Sequence, residues 1–222
     1  MDLKEKVAKE ALKYIKDGYV VGLGSGSTAA IFIRELAKKM EEEDLNVFGI
    51  PTSYEARFLA IQYGIPLVSL DEYDIDLAVD GADEVDKNLN LIKGGGGCHT
   101  LEKIVDYNAK KFIVIVDESK LVNSLGEKFP IPVEVLPVAY RTVMKELSNY
   151  GNAVIRLAER KRGPIITDNG NFIIDLYAKN IDNPKELERE INTIPGVVEN
   201  GIFTKVDEVL VATKKEVKKL KK

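Results

Sequence analysis

Apolar positions near the amino terminus recur with helical spacing, since Leu3, Val7, Ala11 and Ile15 share one face and Gly18 supplies a C-cap. A short apolar run at 19–23 reads as a strand. It ends in GSGST, and a second helical pattern follows through Ile31, Ile33, Leu36 and Met40. Strand-like runs recur at 45–50, 65–70 (IPLVSL), 74–80 (DIDLAVD) and 111–117 (KFIVIVD). Between them lie PTSYEARFLAIQYG, a helix opened by Pro51 with a Thr52/Ser53 cap, and a helix between Leu101 and Lys111. This alternation predicts an α/β fold, a Rossmann-like domain with a mostly parallel sheet covered by helices on both faces.

The pattern changes at EKFPIPVEVLP (127–137), whose three prolines suit a crossing between units better than a central strand. Beyond it the sequence predicts a strand at 132–136, a helix at 139–150 and a strand at 153–158. A hairpin at DNGN, a strand at 171–177, a helix at 184–192 and a strand at 197–203 follow. The order β-α-β-β-α-β is that of a smaller ferredoxin-like α+β domain. DEVLVAT then returns to the first domain as a last strand. Residues 1–127 and 204–222 are assigned to the Rossmann-like domain and 128–203 to the small one.

Composition narrows the function. The chain has 222 residues, is 45% apolar and mixes both charge signs, as a folded globular protein does. A net charge of −4 argues against nucleic acid as a partner, because neutralising phosphates needs a basic surface. The basic ending KKEVKKLKK reads as a solvated helix end. No apolar run is long enough to span a membrane, and no signal peptide is visible. Cys98 is the sole cysteine, which excludes a disulfide framework and fits a reducing cytoplasm.

Three glycine-punctuated segments follow strands and carry the candidate chemistry. In VVGLGSGSTAA, a strand, a glycine-rich loop and a helix start bring backbone N–H groups and a helix dipole to one point, with hydroxyls from Ser25, Ser27 and Thr28. This suits a phosphate. A Walker A loop lacks its lysine, and a dinucleotide fingerprint lacks its acidic partner after the second strand; a plain tight turn with a helix cap is the structural alternative. In DGAD, Asp80 and Asp83 flank Gly81 and Ala82 just past a strand, placed for sugar hydroxyls, acid–base work or an Asx-type turn. A calcium loop starting at Asp86 fails at its sixth position, Leu91, and at its twelfth, Gly97.

The third segment, LIKGGGGCHTLEK, puts Lys93 before four glycines, Gly94, Gly95, Gly96 and Gly97, and then opens a helix. Such a run offers a concave row of N–H donors for an anion. Glu102 falls about one turn into that helix, facing the mouth of the loop or standing as an exposed residue favourable to the dipole. Lys103 reads as a solvated side chain or ion-pair partner. Cys98 and His99, one of each kind, make neither a nucleophilic triad nor a structural zinc site and read as packing or helix-start residues. Lys120, in VDESK after another strand, reaches the same edge of the sheet.

GLGSGSTA, DGADEVD, LIKGGGG with EK soon after, and VDESK, in this order, resemble the A-type ribose-5-phosphate isomerase family over nearly the whole chain. The resemblance implies an aldose–ketose isomerase of the non-oxidative pentose phosphate pathway that interconverts ribose 5-phosphate and ribulose 5-phosphate through an enediolate. It implies no metal and no organic cofactor, a sugar phosphate as ligand, and a homodimer or homotetramer in which the small domain, 128–203, serves oligomerisation. Carried over residue by residue, Glu102 matches the base, and Asp80 and Asp83 the carboxylates of ring opening and hydroxyl binding. Lys93 and Lys120 match substrate-facing lysines, and Ser25, Gly26, Ser27, Thr28, Gly94, Gly95 and Gly96 the substrate-contacting loops. CHT at 98–100 departs from the smaller residues expected there but leaves Glu102 in register.

Two rivals differ at readable points. A hexosamine-phosphate deaminase would draw on histidine, and only His99 is available. A sugar-phosphate sensor should carry a DNA-binding module, and the amino terminus offers one helix rather than a helix-turn-helix.

Overall fold

The structure, a computed structural model, describes residues 2–221. In chain order its elements are α1 (Leu3–Ala11), β1 (Val20–Leu23), α2 (Ser27–Glu43), β2 (Phe48–Pro51), α3 (Tyr54–Gln62), β3 (Leu77–Asp80), β4 (Glu84–Val85), β5 (Leu91–Ile92) and α4 (His99–Asn108). Then come β6 (Phe112–Asp117), β7 (Ile131–Val135), α5 (Tyr140–Leu147), β8 (Gly151–Ile155), β9 (Phe172–Ala178), α6 (Pro184–Asn192), β10 (Val197–Asn200), β11 (Ile202–Phe203), β12 (Glu208–Ala212) and β13 (Val217–Lys221). They form two compact units, Met1–Ala82 with Leu101–Lys120 and Lys205–Lys222, and Asp83–Thr100 with Leu121–Thr204. The second unit thus takes in 83–100 and 121–127, ahead of the boundary that the prolines suggest, because β5 pairs with both β4 and β11.

The first unit is built on a sheet of order β13-β12-β6-β3-β1-β2, parallel except for β13. Strands covered on both faces carry unbroken apolar runs, and VVGL of β1 and LAVD of β3 are buried throughout. Their core joins Val7 and Ala11 of α1, Phe32 and Leu36 of α2, and Ile113 and Ile115 of β6. Because β2 and β3 flank β1 on opposite sides, the winding reverses between β1 and β3. Ligands of open α/β sheets bind beyond the carboxyl ends of the strands at that reversal.

Three expectations for this unit change. The first helix stops at Ala11 and tightens into a 3-10 turn, so Gly18, at φ +76°, belongs to a later turn in which its N–H donates to Asn46 O. IPLVSL forms only an isolated bridge, Leu67 to Gly49, since Pro66 has no N–H to extend a ladder. The basic ending is no helix. Its 217–221 segment is the antiparallel edge strand β13, and edge lysines of this kind discourage pairing with other chains.

The second unit holds an antiparallel sheet of order β10-β7-β9-β8 with α5 and α6, the ferredoxin-like arrangement expected, beside a small sheet of order β11-β5-β4. Val133, Val143, Ile174 and Ile191 sit in its core. The segment read as one strand at 197–203 divides at Gly201 into β10 and β11, which enter different sheets. Gly201 permits this because a Cβ there would lie 2.2 Å from Lys93 O. Asn183 caps α6 through the Glu186 N–H, with Pro184 in its first turn. The buried carboxylate of Glu84 pins the segment after 121 by accepting N–H bonds from Gly126 (2.7 Å) and Phe129 (2.7 Å).

Candidate active site

In the first unit the carboxyl edge of the parallel strands gathers Ser25–Thr28 after β1, Thr52 and Ser53 after β2, Asp80–Ala82 at the end of β3, and Lys120 after β6. α4 crosses over between the parallel neighbours β3 and β6, so its first turn, with Glu102, starts from this edge too. Glu102 is 5% exposed, which overturns the reading of it as an exposed helix residue. Three residues further on, Val105 packs where a Cβ on Gly22 of β1 would stand, 2.7 Å from its Cγ1. Small residues at Gly22 and Ala78 let α4 lie close on the sheet. Lys103 is buried as well, its Nζ 6.0 Å from the Tyr107 ring centroid, and is no solvated side chain.

Asp80 is fully buried and organises the phosphate-type loop. Its Oδ1 accepts the N–H groups of Ser25 (3.0 Å) and Gly81 (2.6 Å), and Gly24 N–H donates to Val79 O (3.0 Å). Gly26, at φ +90°, turns the chain into α2, and its N–H donates to Oε2 of Glu55 (2.9 Å), so the helix start already holds one carboxylate. The Ser25 hydroxyl lies 2.7 Å from Thr52 Oγ1 and 2.5 Å from Ser53 Oγ. Thr52 in turn donates to Leu23 O, and Ser53 caps α3 through the Ala56 N–H. The hydroxyl of Ser25 therefore works within a network, while Ser27 lies outside it on the surface.

Lys4, unremarked in the sequence, donates from Nζ to Ser27 Oγ at 3.0 Å. A lysine in the first turn of α1 opposes that helix's own dipole, and this was the legible signal that it serves something else. At the end of β6, burial alone would raise the Asp117 carboxyl, but Ser119 hydrogen bonds and the charges of Lys120 and Lys4 hold it below its usual value. The edge thus carries two lysines and a hydroxyl beside a helix N-terminus, a setting for a phosphorylated ligand. Thr52 and Ser53, expected only as a helix cap, stand at the same edge because they follow the strand neighbouring β1.

In the second unit, Asp83 Oδ2 accepts the Gly95 N–H at 2.8 Å. Lys93 is 2% exposed, its N–H bound to Gly201 O (2.9 Å) and its Nζ 5.4 Å from the Phe203 ring centroid. Gly94 must be glycine on two counts, a φ of +102° and the His99 ring 2.6 Å from any Cβ. His99 is fully buried, with Nε2 3.3 Å from Glu199 O, a packing role as expected. The glycine run is a turn in which Gly97 N–H donates to Gly94 O (3.0 Å). Two of the four expected N–H donors are therefore already engaged, Gly95 by Asp83 and Gly97 by the turn itself. Gly95 and Gly96 are exposed.

The candidate residues fall into two sets, Ser25, Gly26, Ser27, Thr28, Asp80, Gly81, Ala82, Glu102 and Lys120 in the first unit, and Asp83, Lys93, Gly94, Gly95 and Gly96 in the second. Among the described residues, no helix is long and apolar enough to cross a membrane.

Comparison with known proteins gives concordant findings. The family model for ribose 5-phosphate isomerase A (phosphoriboisomerase A) matches residues 48–216. The ribose-5-phosphate isomerase A of Methanocaldococcus jannaschii is 72% identical over 223 aligned residues, covering all of this chain and 98% of that protein. The solved structure of ribose 5-phosphate isomerase A from that organism matches with a TM-score of 0.98 at 71% identity, over 100% of this chain and 99% of the other. A D-ribose-5-phosphate isomerase solved in complex with phospho-erythronic acid matches with a TM-score of 0.98 at 53% identity over the whole of both chains.

Proposed function

The chain belongs to the ribose 5-phosphate isomerase A family, and from that premise we propose that it interconverts ribose 5-phosphate and ribulose 5-phosphate, in the pentose phosphate pathway, with Glu102 as the base. The observation that carries the reading is the carboxyl edge of the first unit, where a buried carboxylate starts from the same strand ends as a lysine-flanked, hydroxyl-lined helix N-terminus.

Ser25–Thr28, Lys4 and the start of α2 anchor the phosphate, so that the base meets only C1 and C2 of the open-chain sugar. Glu102 takes the C2 proton of the aldose. The electron pair forms the C1–C2 double bond, and the carbonyl oxygen becomes an anion. The proton is returned to C1, O2 loses its proton as C2 becomes the carbonyl, and O1 gains one. The negative oxygen needs fixed donors in a site that excludes water, the part we assign to Lys93 and the glycine loop. Asp80 and Asp83 serve ring opening and hydroxyl binding, and Asp80 in addition holds the Ser25 loop. Lys120 faces the anionic substrate.

We extend the proposal to a homodimer or homotetramer. An exposed apolar stripe on α3, Tyr54, Phe58 and Ile61, with the first two rings stacked at 6.1 Å, supports it. Light scattering on the purified protein tests this. A cytoplasmic location is consistent with the lone cysteine. The experiment for the reaction is direct: ribose 5-phosphate is added and ketose phosphate followed, and a folded protein without turnover would refute the reading.

A further inference from the structure

Arg156 follows β8 in the second unit, and nothing in its local sequence marks it. Its Nη1 donates to two carbonyls of the glycine loop, Gly94 O at 2.9 Å and Gly95 O at 3.0 Å. The rest of the guanidinium is held by Asp175 of β9, with Nε 2.9 Å from Oδ2 and Nη2 paired with Oδ1. The two side chains are only 14% and 16% exposed, so this fork is fixed rather than fluttering at the surface.

The consequence follows from peptide planarity. The carbonyl of Gly94 and the N–H of Gly95 belong to one planar unit. Arg156 holds its oxygen, and Asp83 accepts its N–H. The next unit joins Gly95 O to the N–H of Gly96. With its oxygen drawn to Arg156, its N–H must point the opposite way. The first plane keeps Asp83 and the Gly97 N–H if the guanidinium is lost, whereas the second lies between two exposed glycines and could turn over at little cost.

We propose that Arg156, held by Asp175, is a positioning residue of the isomerase: it sets the glycine-loop peptides so that the Gly96 N–H is presented as a fixed donor to the oxygen that becomes anionic. The inference rests on the isomerase reading and gives the small unit a part in the reaction. A plain cross-strand ion pair would stabilise β8 and β9 with no bearing on turnover. Lysine separates the two roles, since it keeps the charge opposite Asp175 but cannot hold both carbonyls and both carboxylate oxygens in one plane.

The test compares wild type, Arg156→Lys, Arg156→Ala and Asp175→Asn in kcat, KM and inhibition by phospho-erythronic acid and by inorganic phosphate. In Arg156→Lys, the expected result is a kcat lower by about 10- to 100-fold with an unchanged melting temperature. Phospho-erythronic acid binds more weakly, inorganic phosphate equally well, and added guanidinium ion restores part of the kcat of Arg156→Ala but none to Glu102→Gln. A kcat within about twofold of wild type in folded Arg156→Lys would overturn the proposal, and so would loss of its fold, which would make the residue a support of the sheet. If wild type itself shows no turnover, the isomerase reading fails, and the clamp is then judged by exchange of the Gly95 amide, whose N–H is held by Asp83 in the clamped plane. Faster exchange in Arg156→Lys upholds the clamp, and unchanged exchange removes it.

Discussion

Gly24 and Asp80 compete for one space: a Cβ on residue 24 would lie 2.2 Å from Oδ1 of Asp80 and 2.6 Å from its Cα. The loop after β1 closes over the end of β3 only because residue 24 has no side chain, and that closure delivers the Ser25 N–H to the Asp80 carboxylate. A backbone atom so near leaves no flexible side-chain end to move aside. Gly24→Ala is therefore expected to cost about 1–3 kcal/mol of stability and to reduce kcat/KM by more than its loss of folded protein explains. Urea unfolding beside steady-state kinetics checks this. An alanine variant with wild-type kcat/KM would show that the loop's position is irrelevant to turnover.

Lys4 meets Ser27 at the start of α2, and as a phosphate anchor it contributes binding that is the same for substrate and transition state. Lys4→Met should raise KM about tenfold with kcat nearly unchanged, and should flatten the rise of KM with salt. A fall in kcat at constant KM would place Lys4 in the chemistry instead.

Glu134 bears on acid stability. Burial alone would raise its carboxyl, but hydrogen bonds from Thr100 (2.5 Å), Asn171 (2.8 Å), Asn169 (3.1 Å) and Thr167 (2.8 Å) hold it below its ordinary value of 4.5. A folded pKa below the unfolded one gives stability that is present above pH 4.5 and lost as pH falls through the folded value. Glu134→Gln should be less stable at pH 7 by about 1–3 kcal/mol, with the gap to wild type closing on acidification below 4.5. Thermal unfolding between pH 3 and 7 measures it. A gap that does not change with pH would assign the loss to shape rather than charge.

Residues that act where their own strand ends were legible in the sequence. GSGST, DGAD and VDESK each follow an apolar run, so the parallel winding that the alternation predicts already places them on one edge. Residues whose purpose lies far along the chain were not. Arg156 meets Gly94 across 62 positions, and Lys4 meets Ser27 across 23, with no periodicity to link them. The basic ending misled for a related reason. Val217 and Leu220 alone carry no period, and only the open edge of β12 makes that segment a strand. The burial of Glu102 was not legible either, since it comes from the close seat of α4 over Gly22.

Glu102 as the base is the centre of the account. The decisive measurement follows ribose 5-phosphate in deuterated water with excess chelator, comparing wild type with Glu102→Gln for ketose formation and for loss of the C2 proton. The account predicts conversion by wild type, and in a variant of unchanged fold a fall of both by roughly 10²–10⁴-fold, the range a positioned base supplies. Ketose formation by Glu102→Gln within tenfold of wild type would contradict it and send the search for the base to Asp80 and Asp83.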